Sequence, residues 1–451
     1  MKIMEKVSQF TEGKILSPLI GFALPVLLAI FLQTMYGAVD MLIVGQFSEA
    51  AQLSAVSTGS WVMQTVTSAI VGLSMGTTII LGQRIGEGKQ EEAGRAVGVS
   101  ICLFAVIGIA VTVLLELLAV PITVMMKVPQ AAFESTVSYL RICAAGAVFI
   151  VAYNVIGSVF RGVGDSRMPL LTVSIACAGN IAGDLLFVGA FHMAAAGAAA
   201  ATVLAQAFSV ILSALVIRRR NLPFPFRRRY IRLERNIAAR IIKLGFPIAL
   251  QDVLVSVSFL AITAIVNTLG VVASAGVGVA EKICGFILLV PSAFMQSISA
   301  FVAQNVGARK PGRAKRALLY SILVSLGIGV FLAWFAFFHG DVLAGIFNKD
   351  SRVIAAAADY LKAYAVDCLL VSFMFCFTGY FNGCGKTAFV MLQGIAGAFG
   401  VRIPVSYFMS QIVPVSLFRI GLATPASTLL QIVLCAGYYI WIEKRAAVGA
   451  R

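Results

Sequence analysis

Charged side chains are scarce in this chain, and histidine is nearly absent. Asp, Glu, Lys and Arg together make up 12% of the 451 residues, and there are two histidines. A soluble domain carries about a quarter charged residues, so a soluble globular fold of this length is excluded. Hydrophobic residues form 60% of the chain and the mean hydropathy is +0.96. Lipid must therefore surround most of the chain.

Motifs for metal, disulfide and nucleotide chemistry are missing as well. The eight cysteines lie almost entirely in apolar stretches without C-x-x-C spacing, which argues against zinc and against a disulfide framework. Gly383-Cys384-Gly385-Lys386-Thr387 is similar to the end of a phosphate-binding loop, but Tyr380 stands where the first glycine belongs. No nucleophile, metal cluster or cofactor motif is present, so we expect neither an enzyme, nor a cofactor, nor an ATP-driven pump.

Long apolar runs dominate what is present. They predict an all-α integral membrane protein with about twelve transmembrane helices, because each run exceeds the roughly 20 residues that a bilayer requires. Unbroken runs exclude a β-barrel, whose strands alternate. The polar first fourteen residues lack a signal-peptide pattern. The predicted spans are 16–45, 52–82, 94–121, 132–160, 168–191, 195–217, 238–268, 273–303, 315–338, 353–381, 388–411 and 419–442.

The basic residues indicate the orientation of the chain. The net charge is +16, which in a soluble protein would suggest nucleic acid, but here Lys and Arg cluster in alternate loops. If the N-terminus is cytoplasmic, 27 of the 35 lie on the cytoplasmic side and four on the other. The positive-inside rule then predicts a multi-pass protein of the cell (inner or plasma) membrane with both termini cytoplasmic and no nucleic-acid partner.

An internal repeat divides the chain. Segments of the first half recur in the second at a constant spacing of 221, which predicts two six-helix lobes related by a pseudo-two-fold axis along the membrane normal. The lobes are predicted at 1–217 and 238–451, joined by a basic cytoplasmic linker at 218–237 that touches anionic lipid headgroups. The recurring segments are Gln83-Arg84-Ile85-Gly86 with Gln304-Asn305-Val306-Gly307, Tyr139-Leu140-Arg141 with Tyr360-Leu361-Lys362, and Phe160, Gly162 and Gly164 with Phe381, Gly383 and Gly385.

Ionisable residues inside spans are costly and are therefore candidates for function. Asp40 lies late in the first span, and Asp184 lies in the fifth with Asn180 one turn earlier. With Thr202 of the sixth span, they fall within roughly 7–11 Å of the outer ends of their helices, so they can form one site. Two neighbouring carboxylates can share a proton, and the four oxygen-bearing groups can equally coordinate Na⁺. The sequence does not separate H⁺ from Na⁺.

Other polar residues of the first-lobe spans suit a substrate cavity. Pro25 predicts a kink in the first span that could act in gating, although a static kink is an equal alternative. In the second lobe, Asp367–Arg402 or Glu281–Arg402 is expected to be a structural ion pair, with Asp252 and Lys282 also within spans. The predicted cavity residues are Gln33, Tyr36, Tyr139, Tyr153 and Asn154, of which Tyr139 is the weakest because its repeat partner Tyr360 suggests a scaffold role.

The two six-span lobes, the run Pro25…Gln33…Tyr36…Asp40 with Gly45, and the loop 82–86 resemble the multidrug and toxic compound extrusion (MATE) family over essentially the whole chain. The turn 160–165 adds to this resemblance. Asn180-x-x-x-Asp184 with Thr202 is similar to the DinF-type branch, in which the matching residues form the first-lobe cation site. The NorM-type branch has further acids in spans 7 and 10, where this chain has Val255 and Val371.

The resemblance implies a secondary efflux transporter. It would exchange cationic or amphipathic small organic compounds for H⁺ or Na⁺ by alternating access of the two lobes, and we expect a monomer in the lipid bilayer. The alternative is a lipid-linked precursor flippase of the same superfamily. A flippase would need a cavity rich in Arg and Lys to hold pyrophosphate, and the first-lobe spans offer Arg141 alone.

Overall fold

The structure, a computed structural model, describes residues 10–219 and 222–448, and within them all regular structure is helical. The helices of the first half are α1 (Leu16–Phe47), α2 (Ala50–Gly86), α3 (Gln90–Met125), α4 (Gln130–Ala145), α5 (Ala147–Val163), α6 (Arg167–Asp184) and α7 (Ala194–Arg218). Those of the second half are α8 (Arg235–Asn267), α9 (Val271–Ile287), α10 (Leu289–Gly307), α11 (Pro311–Phe338), α12 (Gly340–Phe347), α13 (Ser351–Gly383), α14 (Thr387–Gly397), α15 (Ile403–Ser410), α16 (Leu417–Gly421) and α17 (Ala423–Val448).

The predicted number of about twelve helical spans is confirmed. Eleven helical segments of the described residues are long and apolar enough to cross a membrane. The pair α4 and α5 makes the twelfth span, with a bend of 54° between its halves. The bend lies at Gly146, where a side chain would overlap Val203 of α7. The absence of a side chain therefore lets α7 approach the bend closely.

The surface of the helices is apolar, as a bilayer requires. Leu117 of α3 is 72% exposed, and Phe331 and Trp334 of α11 are also exposed. In water such a surface would drive aggregation, whereas hydrocarbon chains solvate it without cost.

The chain divides into two compact units. One comprises Met1–Ala249 with Ala303–Lys310, and the other comprises Leu250–Val302 with Pro311–Arg451. The start of α8 and the end of α10 thus belong to the first unit, although both are in the second half of the sequence. The repeat-based lobe boundaries, 1–217 and 238–451, stay a prediction, because a repeat and a compact unit are different properties.

Glycines of α2 allow backbones to touch within the first unit. A side chain at Gly76 would overlap the backbone oxygen of Ile241 in α8, and one at Gly86 would overlap that of Gln304 in α10. Hydroxyl groups add bonds between helices, including Ser74 Oγ to Ser158 Oγ at 2.7 Å. Small residues and buried hydroxyls are the usual means of helix association in lipid, where apolar burial gives little driving force.

The basic linker also packs against the first unit, apart from residues 220 and 221, which lie outside the described residues. The backbone oxygens of Pro225 and Tyr230 rest where side chains at Gly94 and Gly98 of α3 would project. Tyr230 is buried, and its hydroxyl donates to Glu91 Oε1 at 3.2 Å. The linker is thus docked on α3 by its backbone.

At Gly76 the backbone of α8 lies too close to α2 for a side chain to fit. In Gly76→Ala the new methyl group meets backbone and not a flexible side chain, so we expect a loss of about 1–3 kcal/mol of stability, as for other overpacked sites. The measurement is the thermal midpoint of the detergent-solubilised protein. Gly327→Ala in α11 is the matched control, because no atom lies within 4 Å of the added carbon. An unchanged midpoint in Gly76→Ala would contradict the packing argument.

Candidate functional site

Asp40, Asn180, Asp184 and Thr202 come from three helices of the first unit. Asp40 lies on α1 and is 5% exposed, while Asn180 and Asp184 lie one turn apart on α6 and are 2% and 0% exposed. Thr202 lies on α7 and is half-buried. Directly after Asp184, α6 widens into a π-helical turn, Leu185–Ala190. Such turns inside α-helices are frequent at functional sites.

The structure brings the four side chains together. Asn180 Nδ2 donates to Thr202 Oγ1 at 3.3 Å, and Thr202 Oγ1 donates to Asp40 Oδ2 at 3.5 Å. The carboxyl groups of Asp40 and Asp184 lie within hydrogen-bonding reach of each other. Both donor–acceptor distances are long for hydrogen bonds. The cluster is thus assembled but loosely bonded.

Several oxygens of this cluster accept no hydrogen bond. No N–H or O–H group of residues 10–219 and 222–445 donates to Asp40 Oδ1, to Asn180 Oδ1 or to either carboxylate oxygen of Asp184. In the same part of the chain, no Lys or Arg forms an ion pair with either aspartate. Buried acceptors without donors are costly, and a proton shared by the two carboxyl groups or a hard cation would remove that cost.

Four of the predicted cavity residues lie as two pairs on α1 and α5. Gln33 and Tyr36 are half-buried on α1, and the Tyr36 hydroxyl lies within hydrogen-bonding reach of Gln33 and of Gln206 on α7. Tyr153 and Asn154 are buried on α5; Asn154 Nδ2 donates to the backbone oxygen of Ile150 at 2.8 Å.

Tyr139 has the environment of a scaffold residue. Its ring fills the space above Gly59, and its hydroxyl lies 3.0 Å from Ser60 Oγ. Pro25 does not interrupt α1, which continues for 32 residues through it. A gating role of Pro25 therefore stays a prediction.

Two residues of the first unit were missed. Gln206 lies one turn from Thr202, and its Oε1 has no donor among the described residues. The i, i+4 spacing of Thr202 and Gln206 indicates from the sequence that both side chains lie on one face of the helix. Arg161, at the end of α5, donates from Nη2 to Ser158 Oγ at 2.8 Å, and its Nε has no acceptor in the described part of the chain. The predicted fourth span, 132–160, ends before Arg161, because the inward direction of this side chain depends on tertiary packing.

The ion pair expected in the second half is not formed. Arg402 is buried, donates from Nη1 to Ser258 Oγ at 3.0 Å, and lies 4.4 Å from the centre of the Phe259 ring. Among the described residues, no carboxylate oxygen lies within 4.0 Å of its nitrogens. The prediction of an ion pair with Asp367 or Glu281 is therefore wrong. The guanidinium contacts the Ser258 hydroxyl and the face of the Phe259 ring instead.

Comparisons with known proteins match this architecture. The MatE family model matches residues 25–186 and again residues 247–408, which confirms the internal repeat; the two matches are 222 positions apart at both limits, so the predicted constant spacing of 221 does not hold there. The chain is 24% identical to the probable multidrug resistance protein YoeA of Bacillus subtilis, over 95% of this chain and 94% of that protein. It is 27% identical to the probable multidrug resistance protein YpnP of the same organism, over 90% and 91%.

Solved structures share the fold. A MATE transporter in its straight conformation aligns with a TM-score of 0.89 at 20% identity, over 98% of both chains. A MOP superfamily transporter from Pyrococcus furiosus aligns with a TM-score of 0.90 at 20% identity, also over 98% of both. Because the family model covers more than half of the sequence, the chain belongs to the MatE family, the multidrug and toxic compound extrusion transporters.

Proposed function

We propose that this membrane transporter is an efflux antiporter. It exchanges cationic or amphipathic organic compounds for H⁺ or Na⁺, and the two lobes give access to each side of the membrane in turn. The names of the relatives YoeA and YpnP, both probable multidrug resistance proteins, support small organic substrates. Asn180-x-x-x-Asp184 with Thr202 supports the DinF-type branch.

The observation that carries the proposal is the cluster of buried oxygens without donors at Asp40, Asn180 and Asp184. Two buried carboxylates repel each other, so one proton or one cation stabilises the pair strongly. Binding and release of that charge can then be linked to the side of the membrane to which the cluster is open. A transporter that binds the cation on one side and drug on the other performs antiport.

Both coupling ions fit the donor set. For H⁺, the proton lies between Asp40 and Asp184. For Na⁺, the two carboxylates, Asn180 Oδ1 and the Thr202 hydroxyl oxygen supply an all-oxygen shell, which a hard cation prefers. Gln33, Tyr36, Tyr153 and Asn154 are the proposed substrate contacts, since aromatic faces and amides bind many amphipathic molecules.

The two basic residues of α4 and α5, Arg141 and Arg161, do not favour pyrophosphate. Arg141 lies near the surface, 3.9 Å from Glu116, and Arg161 is bonded to Ser158. A headgroup of two phosphates requires several converging basic groups. Drug efflux is therefore preferred to transport of a lipid-linked precursor.

The central test uses inside-out vesicles with the transporter and a dye such as ethidium. An imposed H⁺ or Na⁺ gradient should drive dye uptake. Asp40→Asn and Asp184→Asn should each reduce the rate by at least about tenfold, because each removes a charge that the coupling ion neutralises. Glu49→Gln is the control, since Glu49 lies between α1 and α2 and is not in the cluster. Full exchange in both aspartate variants would refute the site.

Thr202 can distinguish the two ions. If Na⁺ is coupled, Thr202→Val removes a ligand and should raise the Na⁺ concentration required by about tenfold, corresponding to about 1.4 kcal/mol. If H⁺ is coupled, the same variant should respond to a pH gradient almost as the unmodified protein does. Thr202→Ser keeps the hydroxyl and serves as the control. Each gradient is applied alone, and exchange under neither gradient would contradict antiport.

Orientation is tested with reporter fusions. Both termini should be cytoplasmic, because 27 of 35 basic residues lie on that side in this orientation. A fluorescent protein fused after Arg451 should fluoresce, and alkaline phosphatase fused there should be inactive. Phosphatase inserted at Lys349, on the opposite side, should be active. The reverse pattern would overturn the proposed topology.

A further inference from the structure

The register between the two halves of the chain changes twice by a single position, and the second change lies within one helix. The loops and turns repeat at a spacing of 221, for example Gly164 with Gly385. The two family matches begin at 25 and 247 and end at 186 and 408, so the spacing is 222 at both limits. Relative to the first half, the second half therefore has one residue fewer between 247 and 304, where the spacing falls from 222 to 221. It has one residue more between 385 and 408, where the spacing returns to 222.

A π-helical turn lies in the second of these intervals. Residues Ala398–Arg402 form it, between α14 and α15. A π-turn holds one more residue than an α-turn, so it accommodates a single insertion without breaking the helix. The spacing should therefore be 221 just before this turn and 222 after it.

Burial supports this register. Thr172 and Gln393, 221 apart, are both 2% exposed. Beyond the turn, Asn180 and Arg402, 222 apart, are 2% and 4% exposed, and Asp184 and Ser406 are both 0% exposed. Arg402 thus stands in the second half where Asn180 of the cation cluster stands in the first.

The neighbouring helix corresponds as well. Arg402 bonds to Ser258 of α8, and Ser258 corresponds to Tyr36 of α1 at the spacing of 222 that holds at the start of the family matches. At the same spacing Asp40 becomes Ile262, which is fully buried and apolar. The second-half position has therefore lost both carboxylates of the cluster, to Ile262 and Ser406, and gained a fixed positive charge.

The surroundings of Arg402 suit a permanently held cation. The Phe259 ring faces the guanidinium, and Ser258 Oγ accepts a hydrogen bond from Arg402 Nη1. Asp367 of α13 is also buried but forms no ion pair with Arg402. The guanidinium is thus held by one hydrogen bond and one aromatic face, and its Nε has no acceptor among the described residues.

We propose that Arg402 is a tethered cation, which fills the second-half counterpart of the coupling site and excludes any exchangeable cation from it. This proposal rests on the proposed function in one respect, namely that the cluster at Asp40, Asn180 and Asp184 binds one cation in each transport cycle. Ion exchange is then confined to the first half, and the transporter couples through one cation site and not two. Arg402 is a positioning residue, and its role depends on its charge more than on its shape.

The test is chemical rescue of the full-length transporter in vesicles and in detergent. Arg402→Ala should lower dye exchange by at least about tenfold, because a buried charged partner is lost. Millimolar guanidinium chloride should restore both exchange and the thermal midpoint, whereas urea, its neutral analogue, should not. The unmodified protein at the same guanidinium concentration is the control for nonspecific effects.

Two further variants separate charge from shape. Arg402→Lys keeps a tethered cation and should retain exchange, while Arg402→Gln keeps a hydrogen-bond donor for Ser258 and should not. Equal exchange by the two, or rescue of Arg402→Ala by urea as well as guanidinium, would overturn the proposal. If Arg402→Ala does not fold, the Lys and Gln pair decides.

The proposed function is tested separately by Asp40→Asn. If Asp40→Asn exchanges normally, the first-half site fails, and rescue of the thermal midpoint of Arg402→Ala by guanidinium still reports on Arg402. If Asp40→Asn is inactive and guanidinium rescues nothing in Arg402→Ala, the tethered-cation proposal alone fails.

Discussion

Hydrocarbon offers no hydrogen bonds, and this constraint governs the whole structure. Every backbone group within the membrane must be satisfied by the chain itself, which restricts the spans to helices. Polar side chains must find partners on neighbouring helices, as Ser74 and Ser158 do. Against that background, the buried acceptors without donors at Asp40, Asn180 and Asp184 stand out because they lie in one cluster, which points to an external partner. The same rule that builds the scaffold therefore makes the candidate site visible.

Much of the fold follows from the sequence because the bilayer sets a length that apolar runs must meet. The twelve spans are predicted on that basis, whereas the repeat is recognisable because matching residues recur at one spacing, in helices as well as in turns. The grouping of Asp40, Asn180, Asp184 and Thr202 followed from their similar depths. Depth along a helix is encoded in sequence position, whereas rotation about the helix and the choice of neighbour are not.

The misses share that cause. Arg402 was expected to pair with an acid, but the direction of its side chain depends on which face α15 and the π-turn present to α8. The bend at Gly146 and the docking of Pro225 and Tyr230 on Gly94 and Gly98 depend on glycines, whose role lies in what approaches them. A single sequence shows that a residue is small without showing what fills the space.

The π-turn at Ala398–Arg402 has a consequence for how duplicated halves diverge. One residue inserted into a regular α-helix would turn everything beyond it by about 100°, carrying lipid-facing side chains inward. Here the exposed pair Leu185 and Leu186 still corresponds to the exposed pair Tyr407 and Phe408, at the spacing of 222 that holds beyond the turn. The π-turn accommodates the extra residue, so the helix beyond it keeps its orientation. The residue at one buried position could therefore change without moving the side chains that face lipid. The second half could acquire the charge of Arg402 while its outer surface still matched the membrane.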